Sequence, residues 1–183
     1  MAAITAADIK FRGSTTAGAA GNANAFGGAD TSLGKYITNA DLPDATLDSL
    51  FDDATGAENA ASTVEYQCVF IYNANASNAL QNAVVWVSGD PAGGANVDIA
   101  VDSTAASAVG AAPAQALQIA NKTTAPAGPL TFSKPTTFAT GLSLGSIPAG
   151  SVKAVWIRRT LTNSAALNND GITLSVQGDT AAA

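Results

Sequence analysis

The alternation of apolar and polar side chains is sharpest between residues 147 and 161, IPAGSVKAVWIRRTL. Pro148-Ala149-Gly150 is a turn signal, because proline fixes φ and glycine accepts positive φ. Beyond it Val152, Ala154 and Trp156 point one way, while Lys153, Val155 and Ile157 point the other. Both faces are apolar from Ala154 to Ile157, which predicts a central strand covered on both sides. Arg158 and Arg159 close the run and diverge to opposite faces. Each needs a carboxylate, a backbone carbonyl or another subunit as its partner.

The same period recurs along the second half of the chain. Val64, Tyr66, Cys68, Phe70 and Tyr72 share one face of a long strand, and 83–88 (AVVWVS) reads as a short buried one. In 96–102, Val97, Ile99 and Val101 are expected inward and Asp98, Ala100 and Asp102 outward. Leu117 and Ile119 mark a short strand, and Ile172, Leu174 and Val176 a last one. Phe132, Phe138, Leu142 and Leu144 are expected to add core in shorter pieces. Strands at this spacing, separated by Gly, Pro and Asn clusters, predict a mainly β fold, an antiparallel sandwich or jelly-roll-like domain.

One stretch has helical period. In 41–56 (DLPDATLDSLFDDATG), Leu47, Leu50 and Phe51 form a stripe at i, i+3, i+4. Asp41 or Asp44 can cap it and Gly56 suits its end, which predicts a short helix near 44–54. Residues 1–35 carry few large side chains, with apolar alternation only at Ile9 and Phe11 and with Phe26 alone in a Gly/Ala-rich run. They read as an extended N-terminal arm, either disordered or ordered along a neighbouring subunit, leaving 36–183 as the β-sandwich domain. Ile4, Ile9, Phe11 and Phe26 could lie along a neighbour, and with Arg158 and Arg159 they are the candidate interface residues.

Composition narrows the chemistry. The hydrophobic share is 47%, but much of it is alanine, and only 12% of residues are charged, about half the usual share. A surface so poor in charge suits a protein packed against neighbours. The net charge of −6 offers no basic stripe for phosphates, so nucleic acid is not an expected partner. No apolar run approaches a membrane span, and the N-terminus lacks the features of a signal peptide, so synthesis in a reducing cytoplasm without a membrane partner is expected. Histidine is absent, which removes the commonest general base and zinc ligand.

Cys68, the single cysteine, alternates with aromatic residues and reads as a buried thiol. Asp98 and Asp102 lie roughly 13 Å apart along one strand, too far for a carboxylate pair. Trp86 and Trp156 read as core, with sugar stacking the lesser alternative. Asp48, Asp52, Asp53 and Glu58 read as a solvated acidic face, with a Ca²⁺ site the lesser alternative because EF-hand spacing is missing. No catalytic, cofactor-binding or metal-binding residue is singled out, and an enzyme is not expected.

Ser32-Leu33-Gly34, Leu50-Phe51-Asp52-Asp53, Gly56-Ala57-Glu58, Glu65-Tyr66-Gln67-Cys68, Leu80-Gln81-Asn82-Ala83 and Trp86 follow one another in an order that resembles a family of small virion proteins of tailed bacteriophages. Leu142-Ser143-Leu144-Gly145, Ile147-Pro148-Ala149-Gly150 and Val155-Trp156-Ile157-Arg158-Arg159 continue the likeness, which covers roughly 30–180. The resemblance implies a virion structural component. Its size, acidity and β-content are similar to those of capsid decoration (cement) proteins, which bind the outer capsid surface and stabilise the lattice. The implied partners are the major capsid protein and further copies of the chain, as a homotrimer. A tail, baseplate or head-fibre component with a receptor- or glycan-binding role is the alternative reading. A bacterial surface β-sandwich is disfavoured by the missing signal peptide.

Overall fold

A computed structural model of the chain describes residues 3–16, 28–90, 94–110, 114–165, 167 and 170–180. Among them the strands are β1 (Ile9–Thr15), β2 (Tyr36–Asp41), β3 (Val64–Asn73), β4 (Leu80–Gly89), β5 (Asn96–Val101), β6 (Ser107–Ala108), β7 (Leu142–Ile147), β8 (Ser151–Thr160) and β9 (Thr173–Thr180), with one short helix, α1 (Gly56–Ala60). All pairings are antiparallel. The larger sheet runs β2-β1-β3-β8-β5, with β6 added on β8, and the smaller runs β7-β4-β9. The fold is mainly β, as the alternation predicts.

The organising strand is β8. It pairs with β3 from Val64↔Thr160 to Tyr72↔Val152 and with β5 on its other side. Its two faces separate as the period requires. Val155 and Ile157 join Val69, Ile71, Val97 and Ile99 in a core shared with Leu80, Val85, Val87, Leu144 and Ile147 of the smaller sheet. Val152, Ala154 and Trp156 face the other way, with Cys68 and Phe70, and are covered by Leu33, Ile37, Ala116 and Ile119. Apart from Ile37 of β2, that second cover is loop rather than sheet. Gly34 lets it approach: its φ is +88°, and a Cβ there would lie 1.9 Å from the Leu117 carbonyl oxygen. The Pro148–Gly150 turn enters β8 as predicted, with Ser151 N donating to Pro148 O at 3.1 Å.

Several expectations are corrected. Residues 9–15 are not an arm outside the domain, because β1 is hydrogen-bonded between β2 and β3. Its second half is buried through polar atoms, with Ser14 N donating to Ser32 Oγ at 2.8 Å, so apolar alternation does not reveal it. Phe26 lies outside the described residues. No helix occupies 44–54, where Ala45 and Asp48 adopt φ of +51° and +54° and break the helical path. The helix begins at Gly56, set by a Thr55–Glu58 capping box. The Leu117–Ile119 stretch makes only a bridge from Gln118 to Gly34. Phe138 is 46% exposed, and its ring meets that of Trp86, which is only half-buried.

Candidate functional site

After β2 the chain leaves the larger sheet and crosses in front of it as the loop 42–55. Leu42, Leu50 and Phe51 turn inward onto the shared core, while Leu47 is exposed. Charge then holds the loop down. Lys122 Nζ lies 2.9 Å from Asp52, 3.0 Å from Glu58 and 2.7 Å from Glu65. Arg159 Nε donates to Glu65 Oε2 at 2.7 Å, and its Nη2 donates to the carbonyl of Asp52 at 2.9 Å. The same guanidinium sits 4.5 Å from the centre of the Phe51 ring. Glu65 is fully buried at the middle of this network.

The titration behaviour follows from these contacts. Hydrogen bonds from the Thr55 hydroxyl and amide, helped by Lys122, hold the Glu58 carboxyl at about 2. Burial alone would lower the Lys122 pKa, but Glu65, Asp52 and Glu58 together raise it. Asp52 and Glu58 are therefore not members of a purely solvated acidic face. Asp48 and Asp53 do remain exposed, and Asp48 is raised by desolvation and by Asp53. Among the described residues, no three of the His, Cys, Asp and Glu side chains are grouped to hold a metal ion.

Between the loop and β9 lies a cleft of about 1650 Å³. Ile9, Phe11, Val69 and Ile157 form its floor, the loop one wall, and Ile172 and Leu174 the other. Asp41, Asp44, Asp48, Asp53 and Asp170 stand around it. A smaller hollow of about 220 Å³ continues along the strand, lined by Ile4, Ile9, Leu80, Val176 and Gly178. Ile9 lines both, so the two hollows flank successive parts of β9. On that side β9 has no strand partner among the described residues, because its only ladder is with β4.

The sequence-predicted interface residues are thus divided. Ile9 and Phe11 form cleft floor, and Ile4 stands at the end of the smaller hollow, its amide donating to Thr180 Oγ1 at 3.1 Å. Arg159 lines the cleft but is held by Glu65. Arg158 points to the opposite face, donating to Asp98 Oδ2 at 2.6 Å and lying 4.9 Å from the centre of the Phe132 ring. Both arginines therefore find partners within the chain. Asp102, expected outward, is buried and accepts hydrogen bonds from Trp156 Nε1 at 2.7 Å, Leu117 N at 2.9 Å and Thr104 N at 2.7 Å. Cys68 is fully buried, which pushes its thiol pKa well up.

The network residues missed from sequence were Lys122 and Glu65. Strand register would have exposed half of it, since Glu65 is directly opposite Arg159 and Asp98 is opposite Arg158. Lys122 carries no local signal, because it comes from the loop cover. Among the described residues no helix is long and apolar enough to cross a membrane. Comparison with family models, with curated proteins and with solved structures finds no match to this chain.

Proposed function

We propose that the protein is a capsid decoration (cement) protein of a tailed bacteriophage, attached to the outer shell through the cleft beside β9. The observation that carries this reading is the character of the cleft. At about 1650 Å³ it exceeds the roughly 300–1,000 Å³ usual for small-molecule pockets, and it opens onto the start of the edge strand β9 at Thr173 and Leu174. Such a surface suits a polypeptide. The resemblance to small virion proteins over roughly 30–180 supplies the class of partner, the major capsid protein. The two sheets, sharing one core, are read as an open β-sandwich of jelly-roll type.

The action is mechanical. A protein that binds the assembled shell better than free shell subunits stabilises the assembled state by mass action. A trimer presenting three clefts would multiply a modest affinity per subunit. A second reading, a tail or fibre component that binds glycan, is favoured by one observation: Trp86 and Phe138 meet edge to face at a half-exposed position on the smaller sheet. Immunogold labelling of virions with an antibody to this chain separates the two. Labelling over the whole shell is expected; labelling confined to the tail pole would reject decoration and favour the second reading.

A further inference from the structure

We infer that the cleft receives a β-strand from the partner, an extended segment with apolar side chains on one face and Lys or Arg on the other, paired along the open edge of β9. The inference takes from the decoration reading only the identity of the partner as a shell protein. Three features of the cleft lead to it.

The first is the outer edge of β9, which has no strand partner among the described residues. A strand presents hydrogen-bonding groups to both sides, and β9 uses one side on β4. The strand is eight residues long, about 26 Å at roughly 3.3 Å per residue; the cleft borders its Thr173 and Leu174 and the smaller hollow its Val176–Gly178, before Thr180 Oγ1 accepts from the Ile4 amide, which leaves room for several ladder hydrogen bonds. The second is the floor. A strand added beside β9 would lay alternate side chains over Ile9 and Phe11, which are only partly buried although they pack against the main core. This is the arrangement of strand addition, in which main-chain bonds supply affinity and pockets for alternate side chains supply specificity.

The third is charge, which selects the occupant. Asp41, Asp44, Asp48, Asp53 and Asp170 border the cleft, and its two cations, Lys10 and Arg159, are engaged by Asp41 and Glu65. The Asp48 carboxyl is pushed up first by desolvation and then by the crowding of negative charge from Asp53 and Asp52. A cationic strand would relieve it. A second copy of this chain cannot supply one. Of its eight Lys and Arg residues, only Lys10 and Arg12 are spaced two apart, and both lie in β1, bonded on either side within the larger sheet and paired with Asp41.

The test uses the full chain, isotope-labelled for amide NMR, and a blocked synthetic peptide of alternating lysine and valine. Expected shifts centre on the amides of Thr173–Gly178 and on Ile9 and Phe11, and added salt weakens binding. The matching glutamate–valine peptide should give no shifts. The triple variant D44N/D48N/D53N, which alters only exposed side chains, should bind the lysine peptide about tenfold more weakly with its melting curve unchanged. Leu174→Lys, placing a charge on the cleft wall, should abolish binding. Should that variant fail to fold, the triple variant alone decides. Equal binding of both peptides, shifts away from β9, or no shifts at all would overturn the inference, as would self-association of the free chain that protects the β9 amides. A chain that binds the peptide but never capsids keeps the strand site and loses the decoration reading. A triple variant that coats capsids normally, with no peptide binding in the parent chain, keeps decoration and loses the strand site.

Discussion

Replacing Glu65 by glutamine tests whether the charge network, rather than apolar packing alone, fixes the loop to the sheet. The side chain is fully buried, with Lys122 Nζ at 2.7 Å and Arg159 Nε at 2.7 Å. Glutamine keeps the shape and removes the charge. Removing one partner of a buried ion pair typically costs about 3–5 kcal/mol, because the remaining charge stays desolvated. Asp52 and Glu58 still neutralise part of Lys122, which places the expected loss at the lower end, about 3 kcal/mol. For a domain of this size that corresponds to a fall in Tm of roughly 6–12 °C. Urea unfolding at pH 7, followed by tryptophan fluorescence, reads the loss as a lower midpoint at unchanged slope. The double variant with Lys122→Met should lose less than the sum of the singles, since the same contact is removed twice. A loss below about 1 kcal/mol, or strict additivity in the cycle, would refute the reasoning.

Other outcomes follow from neighbouring contacts. The Glu58 pKa is lowered from 4.5 to about 2, so its contribution is complete above pH 4.5 and disappears as pH falls from there through about 2. The urea midpoint should drop over that window, and Glu58→Gln should flatten that part of the curve; the same slope in both proteins would contradict the assignment. Asp102→Ala strands the buried indole N–H of Trp156 and should cost about 3 kcal/mol with a shifted tryptophan emission, whereas Asp102→Asn should recover part of it. Deleting residues 1–15 removes β1 from between β2 and β3 and should abolish cooperative unfolding; a deletion that still melts cooperatively with full β-content would contradict its place in the sheet.

What the sequence made legible followed from local period. In β8 the split of Val152, Ala154 and Trp156 from Val155 and Ile157 needs nothing beyond alternation, and β3, β4, β5 and β9 were found the same way within a few residues. β1 escaped because its second half buries polar residues, Ser14 through hydrogen bonds to Ser32 and Gly34, which an apolar pattern cannot register. The 42–55 loop imitated a helix because Leu50 and Phe51 do turn toward one core, by way of positive φ at Ala45 and Asp48 rather than helical turns. The true helix start was visible in Thr55 and Glu58, a threonine with glutamate three residues on. The cleft was not visible at all, because it depends on the loop, β1 and β9 meeting from distant parts of the chain.

Attachment to the shell is tested most directly with capsids stripped of this protein and purified chain added back. The chain is expected to coat the shell saturably and to raise the temperature at which capsids release their DNA, with D44N/D48N/D53N requiring about tenfold more protein for half coverage. No saturable coating, or coating that leaves the release temperature unchanged, would contradict a role as a capsid-stabilising decoration protein.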